Sequence, residues 1–219
     1  MSQIRALIFD FDGLILETEM PVFEAWRECY KSHGHDLELV KYAACVGSDT
    51  TCFDPITDLE KRHSSEVDWE YWNQQRREYI QKKLHNRPSL PGVEKRLIEA
   101  RDAALLCAVA SSSPRSWVEP LLDKLNLSKH FVSTHCLDDV AKPKPDPELF
   151  ESAASALGVK PQEAVVFEDS LNGLNAALKA GMHCVVIPSP VTKHLEFTGA
   201  SMRLETLEDL SLEEILERL

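Results

Sequence analysis

Two carboxylates two residues apart, Asp10 and Asp12, end the apolar run at residues 4–9 and are followed directly by Gly13. Acids so placed repel each other unless a cation or a proton is shared between them. Taken alone the pair is better read as two solvated acids at the end of a strand. Three further groups change that balance: Ser111-Ser112-Ser113 after the run at 105–110, Lys142 in Lys142-Pro143-Lys144-Pro145-Asp146-Pro147, and Glu168-Asp169 after the run at 164–167. An oxygen-rich set of this kind suits Mg2+, which takes a few carboxylates and completes its octahedron with water and phosphate oxygens. A carboxylate held in line with a phosphoryl group can attack it as a nucleophile, and Asp10 fits that part. Asp12 can protonate a leaving alkoxide and later take a proton from water. Gly13 allows the backbone to turn its N–H groups toward phosphoryl oxygens, with Ser112 beside it as a further phosphate contact. Ser111 supplies a hydroxyl and Lys142 a compact positive charge for the same oxygens. Asp10, Asp12 and Asp169 are the expected metal ligands, with Glu168 acting through Asp169 or through the ion's water shell.

These groups need a scaffold that brings them to one edge. Short β-branched or aliphatic runs at 4–9, 105–110, 131–136, 164–167 and 184–187 alternate with helix-period segments at 93–103, 116–125, 147–157 and 171–180. Strand alternating with helix predicts an α/β fold with a doubly wound parallel sheet. In such a sheet ligands collect beyond the carboxyl ends of the strands, where all four groups fall. Pro114 and Pro147 suit first helical turns, and Gly158 and Gly181 suit stops. Between residues 17 and 88 the strand-like runs disappear, three of the four Trp occur (Trp26, Trp69, Trp72) and polar helical stretches dominate, notably 68–84. This predicts an all-helical cap domain at 17–88 inserted into a core made of 1–16 and 89–219, with 88–92 as the return linker. The acidic run at 204–219 is predicted to be a last amphipathic helix covering the sheet.

Asp and Glu number 36 against 24 Lys and Arg, a formal charge of −12. That balance excludes a broad electrostatic grip on nucleic acid or anionic lipid, so a phosphate substrate must be held locally. No segment is long and apolar enough to span a bilayer, and Asp10 and Asp12 interrupt the first apolar run, unlike a signal sequence. The six cysteines lack Cys-x-x-Cys pairing and read as buried reduced thiols. A cytoplasmic protein, acting on a small molecule and monomeric, is the expectation. His33 and His35 read as surface residues, and Trp69, Tyr71, Trp72, Arg76 and Arg77 as one helix of the cap that could line a substrate pocket but whose Trp residues read better as core. Ser48, Asp49 and Thr50 read as a polar turn that could face the site.

In the order Asp10-Phe11-Asp12-Gly13, Val109-Ala110-Ser111-Ser112, Lys142-Pro143-Lys144-Pro145 and Phe167-Glu168-Asp169-Ser170, the chain resembles the haloacid dehalogenase superfamily phosphatases, in the helical-cap branch that includes the beta-phosphoglucomutases and phosphoglycolate phosphatases. The resemblance covers nearly the whole chain. It implies an Mg2+-dependent phosphatase working through an aspartyl-phosphate on a sugar phosphate or similar monoester. It also implies Lys142, before the first proline, over Lys144 as the functional lysine. Dehalogenases of the superfamily lack the second aspartate, so Asp12 argues against their chemistry. Val22 stands where mutases carry a cap-hinge His, and the loop at 47–50 lacks their phosphate-holding Arg, which favours hydrolysis over isomerisation. A sugar phosphomutase is the alternative within enzymes, and a silent binding protein on the same scaffold the alternative outside them.

Overall fold

Residues Ala6–Phe9 (β1) are wholly buried, and an apolar tetrapeptide with both faces covered is what the centre of a parallel sheet requires. In the computed structural model, which describes residues 3–47 and 53–219, β1 is joined by Leu106–Ala110 (β2), Ser133–His135 (β3), Ala164–Glu168 (β4), His183–Val186 (β5) and Met202–Arg203 (β6). All neighbours pair in parallel, in the order β3-β2-β1-β4-β5-β6. The order reverses at β1, which makes its carboxyl end the switch point where α/β sheets bind ligands. The register fixes what gathers there: Phe9 lies opposite Val109 on one side and Phe167 on the other. One residue further along each strand come Asp10, Ala110 and Glu168.

Alternate side chains of the sheet feed two cores. Leu7, Phe9, Val109, Val165 and Phe167 pack with Val93–Asp102 (α5), Arg115–Lys124 (α6) and Leu212–Glu217 (α9). Ala6, Ile8, Ala108, Ala110 and Val166 pack with Glu148–Ala156 (α7) and Leu171–Lys179 (α8), where small residues on both sides let the helices come close. The doubly wound sheet expected from the alternating runs is therefore observed. The C-terminus differs from expectation. Only Leu212–Glu217 of the 204–219 run is helical, after the unforeseen edge strand β6. Asp209 accepts the N–H groups of Glu205 and Thr206, a local turn that competes with helix formation, and Leu204 and Leu207 are buried outside any helix.

Between residues 17 and 88 the described chain has no strand, and its α-helices are Glu19–Ser32 (α1), Leu39–Tyr42 (α2), Pro55–Arg62 (α3) and Trp69–Leu84 (α4). Asp54 caps α3 by accepting from Ile56 and Thr57, with Pro55 in its first turn, and Asp68 caps α4 by accepting from Tyr71. Phe23, Trp26, Tyr30, Leu37, Tyr42, Leu59 and Val67 give this cap a core of its own. The two crossings between cap and sheet are tied by the Leu90 N–H donating to the Ile15 carbonyl at 2.8 Å. His33 and His35 are half-buried rather than free on the surface, each edge-on to His63. None of the five described cysteines forms a disulfide, and no described helix is long and apolar enough to cross a membrane.

Candidate active site

Asp10 continues the ladder of β1, its N–H donating to the Phe167 carbonyl at 3.0 Å, and its carboxylate is carried just past the last paired residue. A lysine ammonium sits under it, and the lysine is Lys144. Its Nζ bonds the Asp10 carboxylate and Glu168 Oε1, the latter at 2.7 Å, and the side chain is fully buried. The expected lysine, Lys142, is exposed, and only its backbone N–H is engaged, with Glu148 Oε2 at 3.1 Å. The physical reason lies in the loop's anchoring. The N–H of Lys144 donates to Ser112 Oγ at 3.3 Å, which pins that residue to the loop after β2 and turns its side chain inward. Glu148 holds the N–H groups of Ala141 and Lys142 at the rim instead.

One buried ammonium faces an excess of buried acid. Oxygens of Asp10, Glu168 and Asp169 all lie within 4.8 Å of one another. Burial, reinforced by Glu168 and Asp12 and opposed by Lys144, pushes the Asp10 carboxyl up to about 8. Burial likewise raises Asp169 and Glu19 well above the carboxylate range, with neighbouring acids adding to it. Lys144 is held above its usual value because Asp10 and Glu168 outweigh the effect of its own burial. Oδ2 of Asp169 is buried with no hydrogen-bond partner among the described residues. A hard divalent cation fits this arrangement: it supplies the missing charge and the missing contact together.

The acids divide into three tasks. Both oxygens of Glu168 are saturated, Oε1 by Lys144 and Oε2 by the N–H groups of Asp169 and Ser170 at 2.8 Å and the Ser170 hydroxyl at 2.9 Å. This carboxylate rests on the start of α8 where a Cβ at Gly173 would lie 1.8 Å from it, so only glycine admits it. Glu168 therefore positions Lys144 and Asp169, and the carboxylates open to an ion are those of Asp10 and Asp169. The Asp12 carboxylate, expected among the ligands, faces elsewhere. It accepts from Thr18 Oγ1 at 2.7 Å, Trp117 Nε1 at 2.8 Å, Ser113 Oγ at 2.6 Å and Ser111 Oγ at 3.3 Å. Three of the four donors are hydroxyls, which can also accept, so these bonds survive a change in Asp12's protonation. Gly13 has φ +76°, and a Cβ there would come within 2.3 Å of Asp169 Oδ2, so glycine keeps the backbone tight against the acid. Ser111 is buried beside Asp12, whereas the Ser112 hydroxyl is taken up between the Gly47 carbonyl at 3.0 Å and the Lys144 N–H. Ser48, Asp49 and Thr50 lie outside the described residues.

Above these groups a cavity of about 410 Å³ lies between the sheet and the cap. Asp10, Asp12 and Glu19 are acidic in it, Val22, Trp26, Tyr42 and Trp117 are bulky walls, and Arg76 is the one cation among the described lining residues. The Arg76 guanidinium lies 3.3 Å from the centroid of Trp26, bonds Asn73, and leaves a buried Nε without a partner. Sequence reasoning passed over Glu19, Thr18 and Trp117, and set Arg76 aside with its cap helix although that helix could line a pocket. Glu19, an acid nine residues after Asp10 at the start of α1, was the most readable of them; Trp117 and Arg76 depend on how helices face the site.

A sequence profile described as haloacid dehalogenase-like hydrolase matches residues 7–187. The chain is 40% identical over 216 residues to YhcW of Bacillus subtilis (strain 168), provisionally named a phosphatase, covering 99% of this chain and 98% of that one. It is 29% identical to hexitol phosphatase B of Escherichia coli (strain K12), covering 98% and 97%. A solved structure of a CbbY variant from Rhodobacter sphaeroides in complex with xylulose-(1,5)bisphosphate superposes with a TM-score of 0.78 at 28% identity, covering 96% of this chain and 98% of that one. With the motifs, the sheet order and the profile in agreement over most of its length, this chain belongs to the haloacid dehalogenase-like hydrolases.

Proposed function

We propose that this protein is an Mg2+-dependent phosphatase that hydrolyses the monophosphate of a sugar or sugar alcohol through a phosphorylated Asp10. The observation that carries this reading is Asp10 itself, buried at the switch point between Lys144 and the unpartnered Oδ2 of Asp169. An Asp10 oxygen attacks phosphorus, the bond from phosphorus to the ester oxygen breaks, and Asp12 gives its proton to the departing alkoxide. Water then attacks the same phosphorus, Asp12 takes the water's proton, and the bond to Asp10 breaks to release inorganic phosphate. Lys144 holds the nucleophile in place and offsets its charge, while Ser111, Ser113, Thr18 and Trp117 aim Asp12. Asp10 and Asp169 would hold Mg2+, which when bound neutralises phosphoryl charge and orients the ester.

The substrate class follows from the far wall. Arg76 is the only described cation there, and residues 48–52 add none by sequence, so the cap has little to grip a second phosphate. Its spare guanidinium edge and Glu19 suit hydroxyls. Hexitol phosphatase B is in keeping with this reading. Val22 lines the cavity with an apolar side chain and offers no group for the second transfer of a mutase. A screen of phosphate esters with Mg2+ is expected to give kcat/KM at least about tenfold higher for monophosphates of five- and six-carbon polyols and sugars than for the matching bisphosphates, about 1.4 kcal/mol of discrimination. Preference for bisphosphates, or conversion of a sugar 1-phosphate into its 6-phosphate isomer, would reject the reading.

Metal-free protein should also lose stability as pH rises. The Asp10 pKa is raised from about 3.8 unfolded to about 8 folded, and Asp169 and Glu19 shift the same way. The folded state thus binds more protons through this window, so the stability present at acid pH falls as pH climbs toward 8. Thermal unfolding with and without Mg2+ is expected to show a stabilisation by the ion that grows from pH 5 to pH 8. An Mg2+ effect that shrinks over that range would contradict the assignment of Asp10 and Asp169.

A further inference from the structure

A second cavity, of about 500 Å³, shares no lining residue with the first. Its walls include both crossings between sheet and cap, from residues 13–17 on the way out and 87–91 on the way back. The loop at 187–193 and residues 205–207 close it. Three features of it can meet a ligand. Glu17 is 5% exposed, its Oε1 accepts the Met20 N–H at 2.9 Å, and its Oε2 has no partner. Arg87, near enough to favour the charged form of Glu17, and the exposed Lys193 also stand on the wall with no direct ion pair among the described residues, and the exposed Glu205 is a second acid there. Leu14, Leu90, Ile187 and Leu207 add an apolar side. A buried carboxylate oxygen left unbonded is costly, and a pocket with that oxygen, two cations free of direct ion pairs, one exposed acid at its edge and an apolar wall is complementary to a molecule that carries a donor, an anionic end and an apolar body.

We propose that this hinge cavity binds a small amphiphilic organic anion carrying an N–H or O–H group. The donor bonds Glu17 Oε2, the anionic end meets Arg87 and Lys193, and the apolar body lies on Leu14, Leu90, Ile187 and Leu207. Such an occupant touches both tethers of the cap at once, and so fixes the angle between cap and sheet. It also reaches the metal-binding acid from behind: the Ser189 hydroxyl, on the same wall, hydrogen-bonds the Thr192 hydroxyl at 3.1 Å, which in turn donates to the Asp169 carbonyl at 2.6 Å. A change in cap angle is the kind of event that sets substrate affinity in an enzyme closed by a lid. The effect on turnover rests on the phosphatase reading; the binding does not.

The probe is 8-anilinonaphthalene-1-sulfonate, which combines a sulfonate, an N–H and an apolar ring system. Titrated into the full chain and read by fluorescence, it is expected to saturate at one equivalent. Arg87→Glu and Lys193→Glu are each expected to weaken it about tenfold, in keeping with the loss of a charge-assisted hydrogen bond. Lys129→Glu, a surface lysine outside the cavity, should leave it unchanged, and circular dichroism should show all three variants folded. Binding that does not saturate, or that ignores Arg87→Glu and Lys193→Glu, overturns the site. With the site established, the probe is expected to change KM for monoester hydrolysis in the wild type and not in Arg87→Glu; an unchanged KM overturns the coupling to the cap. A protein that binds the probe at this site but hydrolyses no ester removes the phosphatase reading and leaves the cavity assignment standing.

Discussion

Replacing Asp10 by Asn is expected to lower Mg2+-dependent phosphate release by about 10³-fold or more, since the nucleophile of a two-step transfer has no substitute nearby. The nearest candidate, Asp12, is held away by four hydrogen bonds to Thr18, Trp117, Ser113 and Ser111. The fold should survive. Burial pushes the Asp10 carboxyl up to about 8, so loss of its charge is well tolerated in the metal-free protein, and Asn is close to the neutral acid in shape and charge. Thermal unfolding of the metal-free variant is therefore expected to match the wild type, while its gain on adding Mg2+ shrinks. Steady-state assay and a melting curve on the same preparation separate a lost nucleophile from a lost fold.

The two lysines of the proline-rich loop should part company as sharply. Lys144→Ala removes the only ammonium from between Asp10 and Glu168, both of them buried. Breaking a buried pair from one side leaves charge uncompensated and costs about 3–5 kcal/mol. Some of that cost is relieved if the acids take up protons. Turnover should fall with it, because nothing else restrains Asp10. Lys142→Ala, by contrast, truncates an exposed side chain whose backbone alone is bonded, and is expected to stay within about 0.5 kcal/mol of wild type with kcat unchanged. Denaturant titration and assay of both variants decide the assignment; should Lys144→Ala fail to fold, undiminished kcat in Lys142→Ala carries the comparison. A loss of turnover confined to Lys142→Ala would reverse it.

This pair also marks where sequence reading stops. Parallel strands announce themselves as unbroken apolar runs, and β1, β2 and β4 stand where such runs stand because burial on both faces leaves no room for polar residues. Once those strands are placed side by side, Asp10, Ser111 and Glu168 must share an edge, so their gathering at one end of the sheet was legible before any side chain was seen. Lys142 and Lys144 are the same residue type two positions apart, each before a proline. What separates them is one hydrogen bond to Ser112, from a loop 32 residues earlier in the chain, and no local pattern encodes that. Asp12 has the same history. Its spacing from Asp10 suggested a shared ion, but Trp117 and Thr18 reach it from two helical elements and claim its oxygens. Edge strand β6 was invisible for another reason: two residues make too short a run to show a period.

The central claim is that Asp10 becomes covalently phosphorylated during turnover, and trapping that species tests it most directly. Borohydride added during steady-state hydrolysis with Mg2+ reduces an acyl phosphate to the alcohol, which converts a phosphorylated aspartate into homoserine. Peptide mass spectrometry is expected to find homoserine at position 10, dependent on substrate and absent from Asp10→Asn. Homoserine at position 12 instead, or full turnover with an unmodified Asp10 peptide, would contradict the account.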